Sequence, residues 1–254
     1  MPPQIKACLF DLDGVVTKTD VQHRQAWKLT FEPFLARYQG RAGSPFTLAD
    51  YMRHVDGMPR HHAVHRFLQS RNIVLPPGDS DDPPHHHSEH GLANRKDELL
   101  SQSFAHEPIE TYPGTIRFVR AVRRSGMSTA VVSASSHCAQ VLEACGADDL
   151  FDTRIDGTRV RQRNLKGKPA PDSYIEAAAE LRATPATTAV FEDGPTGIAA
   201  AAAGGFGWIV GLDRCGRHED LAELGPDLVV NDLAELLLPL AAHTVSAIGA
   251  GTDQ

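Results

Sequence analysis

From Tyr112 onward, short apolar runs alternate with segments of helical periodicity. Ser128–Ser133, Thr188–Phe191, Trp208–Val210 and Leu228–Val230 read as strands, because each is short and rich in β-formers. Thr115–Arg124, Ser136–Ala144, a segment opening at Pro171-Asp172, Ile198–Ala203 and His218–Leu224 read as helices, followed by a last one through Leu238. This alternation predicts a parallel sheet covered by helices on both faces. A further apolar run, Ile5–Leu12, ends in Asp13-Gly14 and reads as a buried strand far upstream of the others.

The intervening segment has a different pattern. A helix is expected from Asp20, an N-cap type of residue, through Trp27 and Leu29, with Pro33 interrupting or re-aiming it. Pro59 suits the first turn of another helix, in which Val64, Phe67 and Leu68 share a face. Pro76 to Pro84 and the following His85-His86-His87 read as a long loop, after which a helix resumes near Gly91 and ends before Pro108. The fold class is therefore α/β: a Rossmann-like parallel-sheet core over residues 1–19 and 109–242, with an inserted helical cap domain over 20–108. Residues 243–254, small and polar, are expected to form a flexible tail.

Charge and composition narrow the function. Lys+Arg 25 against Asp+Glu 32 gives a formal charge of −7, which argues against nucleic-acid binding. No apolar run approaches a membrane span, and Met1 to Lys6 lack the features of a signal peptide. The four cysteines form no Cys-x-x-Cys pair and are expected to be reduced thiols in a cytoplasmic protein, with Cys8 in the core. With no assembly motif in view, a monomer is the default.

Chemistry in an open α/β sheet gathers at the carboxyl ends of the strands. One strand ends in Asp11-Leu12-Asp13-Gly14, whose carboxylates two residues apart share a direction in extended chain. A second ends in Ser133-Ala134-Ser135-Ser136, a hydroxyl-rich turn opening a helix and suited to phosphate. A third ends in Glu192-Asp193-Gly194, and Lys168 lies upstream in Gly167-Lys168-Pro169. Carboxylates crowded at one edge repel one another unless a hard cation such as Mg²⁺ joins them. Asp11 then becomes a candidate nucleophile toward phosphorus and Asp13 a candidate general acid/base.

Phe10-Asp11-Leu12-Asp13-Gly14-Val15, Ser133, Lys168-Pro169 and Glu192-Asp193 resemble the four motifs of the haloacid-dehalogenase superfamily. Asp11 to Trp27, Val55-Asp56-Gly57-Met58-Pro59-Arg60, Arg95-Lys96, Tyr112-Pro113-Gly114 and Lys168 to Asp172 resemble its β-phosphoglucomutase group, which has a small helical cap. The resemblance spans most of residues 5–240. It implies phosphoryl transfer on a phosphorylated sugar through an aspartyl-phosphate on Asp11, with Asp13 as acid/base. It implies Mg²⁺ held by Asp11, the Asp13 carbonyl, Glu192 and Asp193, and phosphate held by Ser133, the Ala134 N–H and Lys168. Arg60 matches the cap arginine for a second phosphate. Thr19, His23 and Lys96 match residues that position Asp13 and the sugar.

The chain departs from the mutases of that group at Lys18, Asp56, Asp97 and Ser136-His137, which removes or replaces two basic groups near the second phosphate. His137, when protonated, supplies part of that loss. The expected activity is a β-phosphoglucomutase-like isomerisation. A sugar-phosphate phosphatase and a silent phosphometabolite sensor are the alternatives. His85-His86-His87, with Glu89 and His90, is expected to be a solvated loop; metal binding is the alternative.

Overall fold

A computed structural model describes residues 1–38, 44–216 and 218–237. The expected tail at 243–254 and the end of the expected last helix lie outside the described residues. The chain divides into two compact units, one of Met1–Thr17 with Glu110–Gln254 and one of Lys18–Ile109.

The first unit opens with β1 (Ala7–Phe10), and all four of its residues are buried. The second unit follows, with α1 (Asp20–Tyr38), α2 (Leu48–His54), α3 (Arg60–Ser70) and α4 (Glu89–His106). The first unit resumes with α5 (Pro113–Arg124), β2 (Ser128–Val132), α6 (Cys138–Ala144), β3 (Thr153–Ile155) and α7 (Gly157–Gln162). It continues with α8 (Asp172–Glu180), β4 (Thr188–Glu192), α9 (Pro195–Ala203), β5 (Trp208–Leu212), α10 (His218–Ala222) and β6 (Leu228–Val230). A short 3₁₀ turn, Leu233–Leu236, stands where the last helix was expected.

The strands form one six-stranded sheet in the order β3-β2-β1-β4-β5-β6, and every pairing is parallel. The Rossmann-like α/β class is thus the observed one. The order reverses between β1 and β4, which opens a crevice at their carboxyl ends. Register aligns Phe10 with both Val131 and Phe191, so Asp11, Ser133 and Glu192 emerge from neighbouring strand ends.

Successive side chains of β1 enter opposite cores. Leu9 joins Val132, Val190, Tyr174, Ala177 and Ile198 on the face covered by α8 and α9. Phe10 stacks on Phe191 with ring centroids 4.7 Å apart and meets Phe118 of α5 edge-on at 6.3 Å. Cys8 is fully buried, as expected, and Cys8, Cys138, Cys145 and Cys215 are free thiols.

The second unit has its own aromatic core. Phe31 is fully buried and lies 4.1 Å from the Phe67 ring and 5.1 Å from the Trp27 ring. Pro33 does not interrupt α1, one of the two outcomes expected of it; the helix runs on to Tyr38. Proline removes one N–H and crowds the carbonyl four residues back, but the burial of Thr30, Phe31, Phe34 and Leu35 on either side holds the helix together. The sequence reading missed α2, β3 and α7. The first carries a capping box in which Thr47 and Asp50 satisfy each other's backbone N–H.

Pro76 to His87 contains no helix or strand, as expected. Asp82 organises it: its Oδ2 accepts hydrogen bonds from Ser88 Oγ (2.5 Å) and the Asp79 N–H (3.1 Å) and pairs with His86 Nδ1 at 3.0 Å. Asn94 of α4 donates to the carbonyls of Ser80 and Asp82. Among the described residues, no helix is long and apolar enough to cross a membrane.

Candidate active site

The backbone after β1 folds back tightly, with Gly14 N–H donating to the Thr17 carbonyl at 2.8 Å and Thr17 N–H to the Leu12 carbonyl at 2.9 Å. Gly14 has φ +87°, and a Cβ there would overlap the Asp193 carboxylate, so a side chain is excluded on both grounds. The turn presents Asp11 and Asp13 at the sheet edge.

Lys168 is the hub. Its Nζ lies 2.5 Å from Asp11 Oδ1 and 2.6 Å from Glu192 Oε1, and all three residues are buried. The Lys168–Pro169 bond is cis. Tyr174 donates its hydroxyl to Glu192 Oε1 at 2.6 Å, and Lys168 Nζ sits 4.9 Å from its ring centroid. Glu192 Oε2 accepts from the N–H groups of Asp193 and Gly194 at 3.1 and 3.2 Å. A Cβ at Gly197 would overlap this carboxylate, so the glycine is what lets Glu192 pack against α9.

The electrostatics follow from crowding in a dry place. Burial pushes the Asp11 carboxyl well above the usual carboxylate range; Lys168 opposes this, and Glu192 and Asp13 add to it. Burial alone would lower Lys168, but the Asp11 and Glu192 carboxylates outweigh it and hold the ammonium well above its ordinary value. Burial and the Glu192 charge raise Tyr174, which keeps its phenol protonated as a donor.

Oxygens of Asp11, Glu192 and Asp193 lie within 4.8 Å of one another. Three carboxylates converging on one point beside a single lysine suit a hard divalent cation with oxygen ligands. Ser133 Oγ donates to Asp13 Oδ2 at 3.3 Å and accepts the Ser135 N–H at 3.0 Å. Ala134 lies in that turn, and His137 is the residue preceding α6, with its N–H on Ser135 Oγ at 3.2 Å.

The structure therefore gathers Asp11, Asp13, Ser133, Lys168, Glu192 and Asp193 in the first unit. Thr19, His23, Arg60 and Lys96 lie in the second unit. His23 Nδ1 lies 3.2 Å from Lys96 Nζ, and that ammonium sits 5.4 Å from the Trp27 ring centroid. Arg60 pairs with Asp97 at 3.2 Å. Thr19 is buried, and its carbonyl accepts the His23 N–H at 2.9 Å.

Two residues at the first-unit site went unread in the sequence. Tyr174 looks like an apolar position of α8, and only its hydroxyl distinguishes it. Arg214 donates from Nε to the Gly14 carbonyl at 2.8 Å and from Nη1 to the Asn231 carbonyl at 2.7 Å, and stacks 3.6 Å over the Tyr112 ring. It braces the Gly14 turn from a position 200 residues away in the chain, where no local pattern could announce it.

A parallel α/β core with a lysine-paired carboxylate cluster at its strand ends suits phosphoryl transfer. The chain belongs to the haloacid dehalogenase-like hydrolase family, whose pattern matches residues 5–205. Within it the chain is β-phosphoglucomutase-like: it is 43% identical over 244 residues to the β-phosphoglucomutase of Mycobacterium bovis, a match covering 93% of each chain. It is 27% identical over 242 residues to the validoxylamine A 7'-phosphate phosphatase of Streptomyces hygroscopicus subsp. limoneus, covering 92% of this chain and 97% of that one. A solved structure of β-phosphoglucomutase from Clostridium difficile has the same fold, with a TM-score of 0.73 at 23% identity over 97% of this chain and 99% of that one.

Proposed function

We propose that this protein interconverts β-glucose 1-phosphate and glucose 6-phosphate through an aspartyl-phosphate on Asp11. The observation that carries the phosphoryl-transfer chemistry is the Lys168 ammonium bonded at once to Asp11 and Glu192. The extent of identity to a β-phosphoglucomutase supports the choice of reaction.

Asp11, carrying a phosphoryl group, donates it to the 6-hydroxyl of the sugar 1-phosphate. Asp13 accepts the proton of that hydroxyl as the new P–O bond forms. The bisphosphate turns round, and the Asp11 carboxylate attacks the phosphorus on O1. Asp13 returns the proton to O1 as that P–O bond breaks, giving glucose 6-phosphate and restoring the phosphoenzyme. Lys168 and the Ser133–Ala134 turn hold the transferring oxygens. Mg²⁺, held by Asp11, the Asp13 carbonyl, Glu192 and Asp193, offsets phosphoryl charge when bound.

A second reading, a sugar-phosphate phosphatase, is favoured by one observation. The Arg60 guanidinium proposed for the second phosphate is already paired with Asp97. In that reading water attacks the aspartyl-phosphate, releasing inorganic phosphate and regenerating Asp11.

³¹P NMR separates them. Protein with Mg²⁺, β-glucose 1-phosphate and a trace of glucose 1,6-bisphosphate should produce glucose 6-phosphate without inorganic phosphate. Release of inorganic phosphate instead would establish the phosphatase.

A further inference from the structure

The histidines of this chain are unevenly placed: ten of the 13 fall between His23 and His106. The run that draws the eye, His85-His86-His87, does not gather. His86 is occupied by Asp82 and Ser88, and His87 lies 6.0 Å from the Phe34 ring centroid. A different set does gather, on α3 and the first turn of α4. His61 and His65 are one turn apart on α3 and so share a face. His61 stacks on His90 of α4 with centroids 4.6 Å apart and planes within 16°. His65 Nδ1 lies 2.9 and 3.1 Å from the two oxygens of Glu89. Backbone bonds from Glu89 N–H to the Pro76 carbonyl and from His90 N–H to the Pro77 carbonyl anchor this end of α4.

This arrangement has the parts of a transition-metal site and no evident packing role. Two stacked imidazoles across two helices, with a third one turn along, are an unusual way to cover a surface, because each protonation repels the next. The neutral ring is the form that binds metal. Partial desolvation, then the neighbouring His62 and His90, hold His61 below the ordinary histidine value, which keeps it neutral near pH 7. The Glu89–His65 contact is the carboxylate–imidazole pair that orients metal-bound histidines: Nδ1–H faces the carboxylate, and Nε2 remains as the ligand atom. Asp11, Glu192 and Asp193 are the only set already converged among the described residues. In the second cluster the ring nitrogens do not converge as they stand; the exposed His61 ring would have to turn off its stack on His90 to bring the three together, while His65 keeps its bond to Glu89.

We infer that His61, His65 and His90, with Glu89 orienting His65, bind one Zn²⁺-class transition ion that ties α3 to α4. Three imidazoles with water in the fourth position suit a borderline cation rather than Mg²⁺. The ion is structural and is independent of the phosphoryl-transfer reading.

The test is Zn²⁺ titration by calorimetry of metal-free protein in excess Mg²⁺, which occupies carboxylate sites and leaves imidazole sites open. One Zn²⁺ per chain is expected, with Zn²⁺ raising the thermal midpoint. His61→Ala, His65→Ala and His90→Ala should each weaken binding at least about tenfold, and Glu89→Ala by roughly 10–100-fold. His85→Asn should leave binding intact. Co²⁺ adds a second readout, since a four-coordinate imidazole site gives an intense visible band that a carboxylate–water site lacks. His61 and His65 are exposed, so their variants should keep the parent circular dichroism spectrum. No Zn²⁺ uptake in excess Mg²⁺, uptake unchanged in the His61→Ala/His65→Ala variant, or uptake lost on His85→Asn would each overturn the site.

Discussion

The two units hold charged side chains in opposite ways. In the sheet unit, Asp11 and Glu192 are buried at the ends of adjacent strands set by β-register, and Lys168 reaches both from the loop before α8. In the helical unit, Arg60 and Asp97 are roughly a third exposed and meet as side chains of two helices. A buried pair that loses one partner strands a charge in a dry place, whereas a half-exposed pair returns both partners to water. Chemistry that must not drift belongs in the first setting, and recognition that must adapt belongs in the second. The same contrast ranks the consequences of mutation.

Asp11→Asn should have the largest effect. It removes the proposed nucleophile and keeps the shape, so turnover should fall by more than about 10⁴-fold with the thermal midpoint little changed. Steady-state phosphate release and ³¹P NMR check it, and retained turnover would remove the aspartyl-phosphate. Lys168→Met attacks the same cluster through stability: with the ammonium gone, Asp11 and Glu192 face each other, and urea unfolding should show a loss of about 3–5 kcal/mol. A loss as small as that of a surface pair would erase the contrast between the units.

Arg214→Met tests whether the Gly14 turn needs its brace. A loosened turn misplaces Asp11 and Asp13, and kcat should fall by up to about 100-fold with KM nearly constant. Tyr174→Phe leaves one Glu192 oxygen a donor short, which should cost about 1–3 kcal/mol in chemical denaturation. The smallest stability effect is expected from Asp97→Asn, at about 0.2–1 kcal/mol. It releases Arg60, so its signature is kinetic: KM for a sugar bisphosphate should drop while that for a small aryl phosphate stays unchanged. Equal changes for both substrates would remove Arg60 from a distal phosphate site.

Much of this architecture is legible in the chain because the informative signals are local. Each strand of the core except β3 announces itself as a short apolar run, and the strand ends carry their polar residues next in sequence. β3 (Thr-Arg-Ile) and α7 (Gly-Thr-Arg-Val-Arg-Gln) escaped because each carries too few apolar residues to form a run or a periodic face. Pro33 left two outcomes open because the rule that proline ends helices is a local one. The aromatic packing of Phe31 and Phe34 is not local.

The order of apolar runs and the residues that close them determined the α/β class, the inserted helical segment and the strand-end candidates. Those features depend on neighbours within a few positions, where backbone geometry is nearly automatic. Only the tertiary structure decided that Arg214 would brace Gly14, that Tyr174 would hold Glu192, that Asp97 would occupy Arg60, and that His61 and His65 would meet Glu89 and His90. Each of these joins residues far apart in the chain, and contact between such residues is set by how the elements pack.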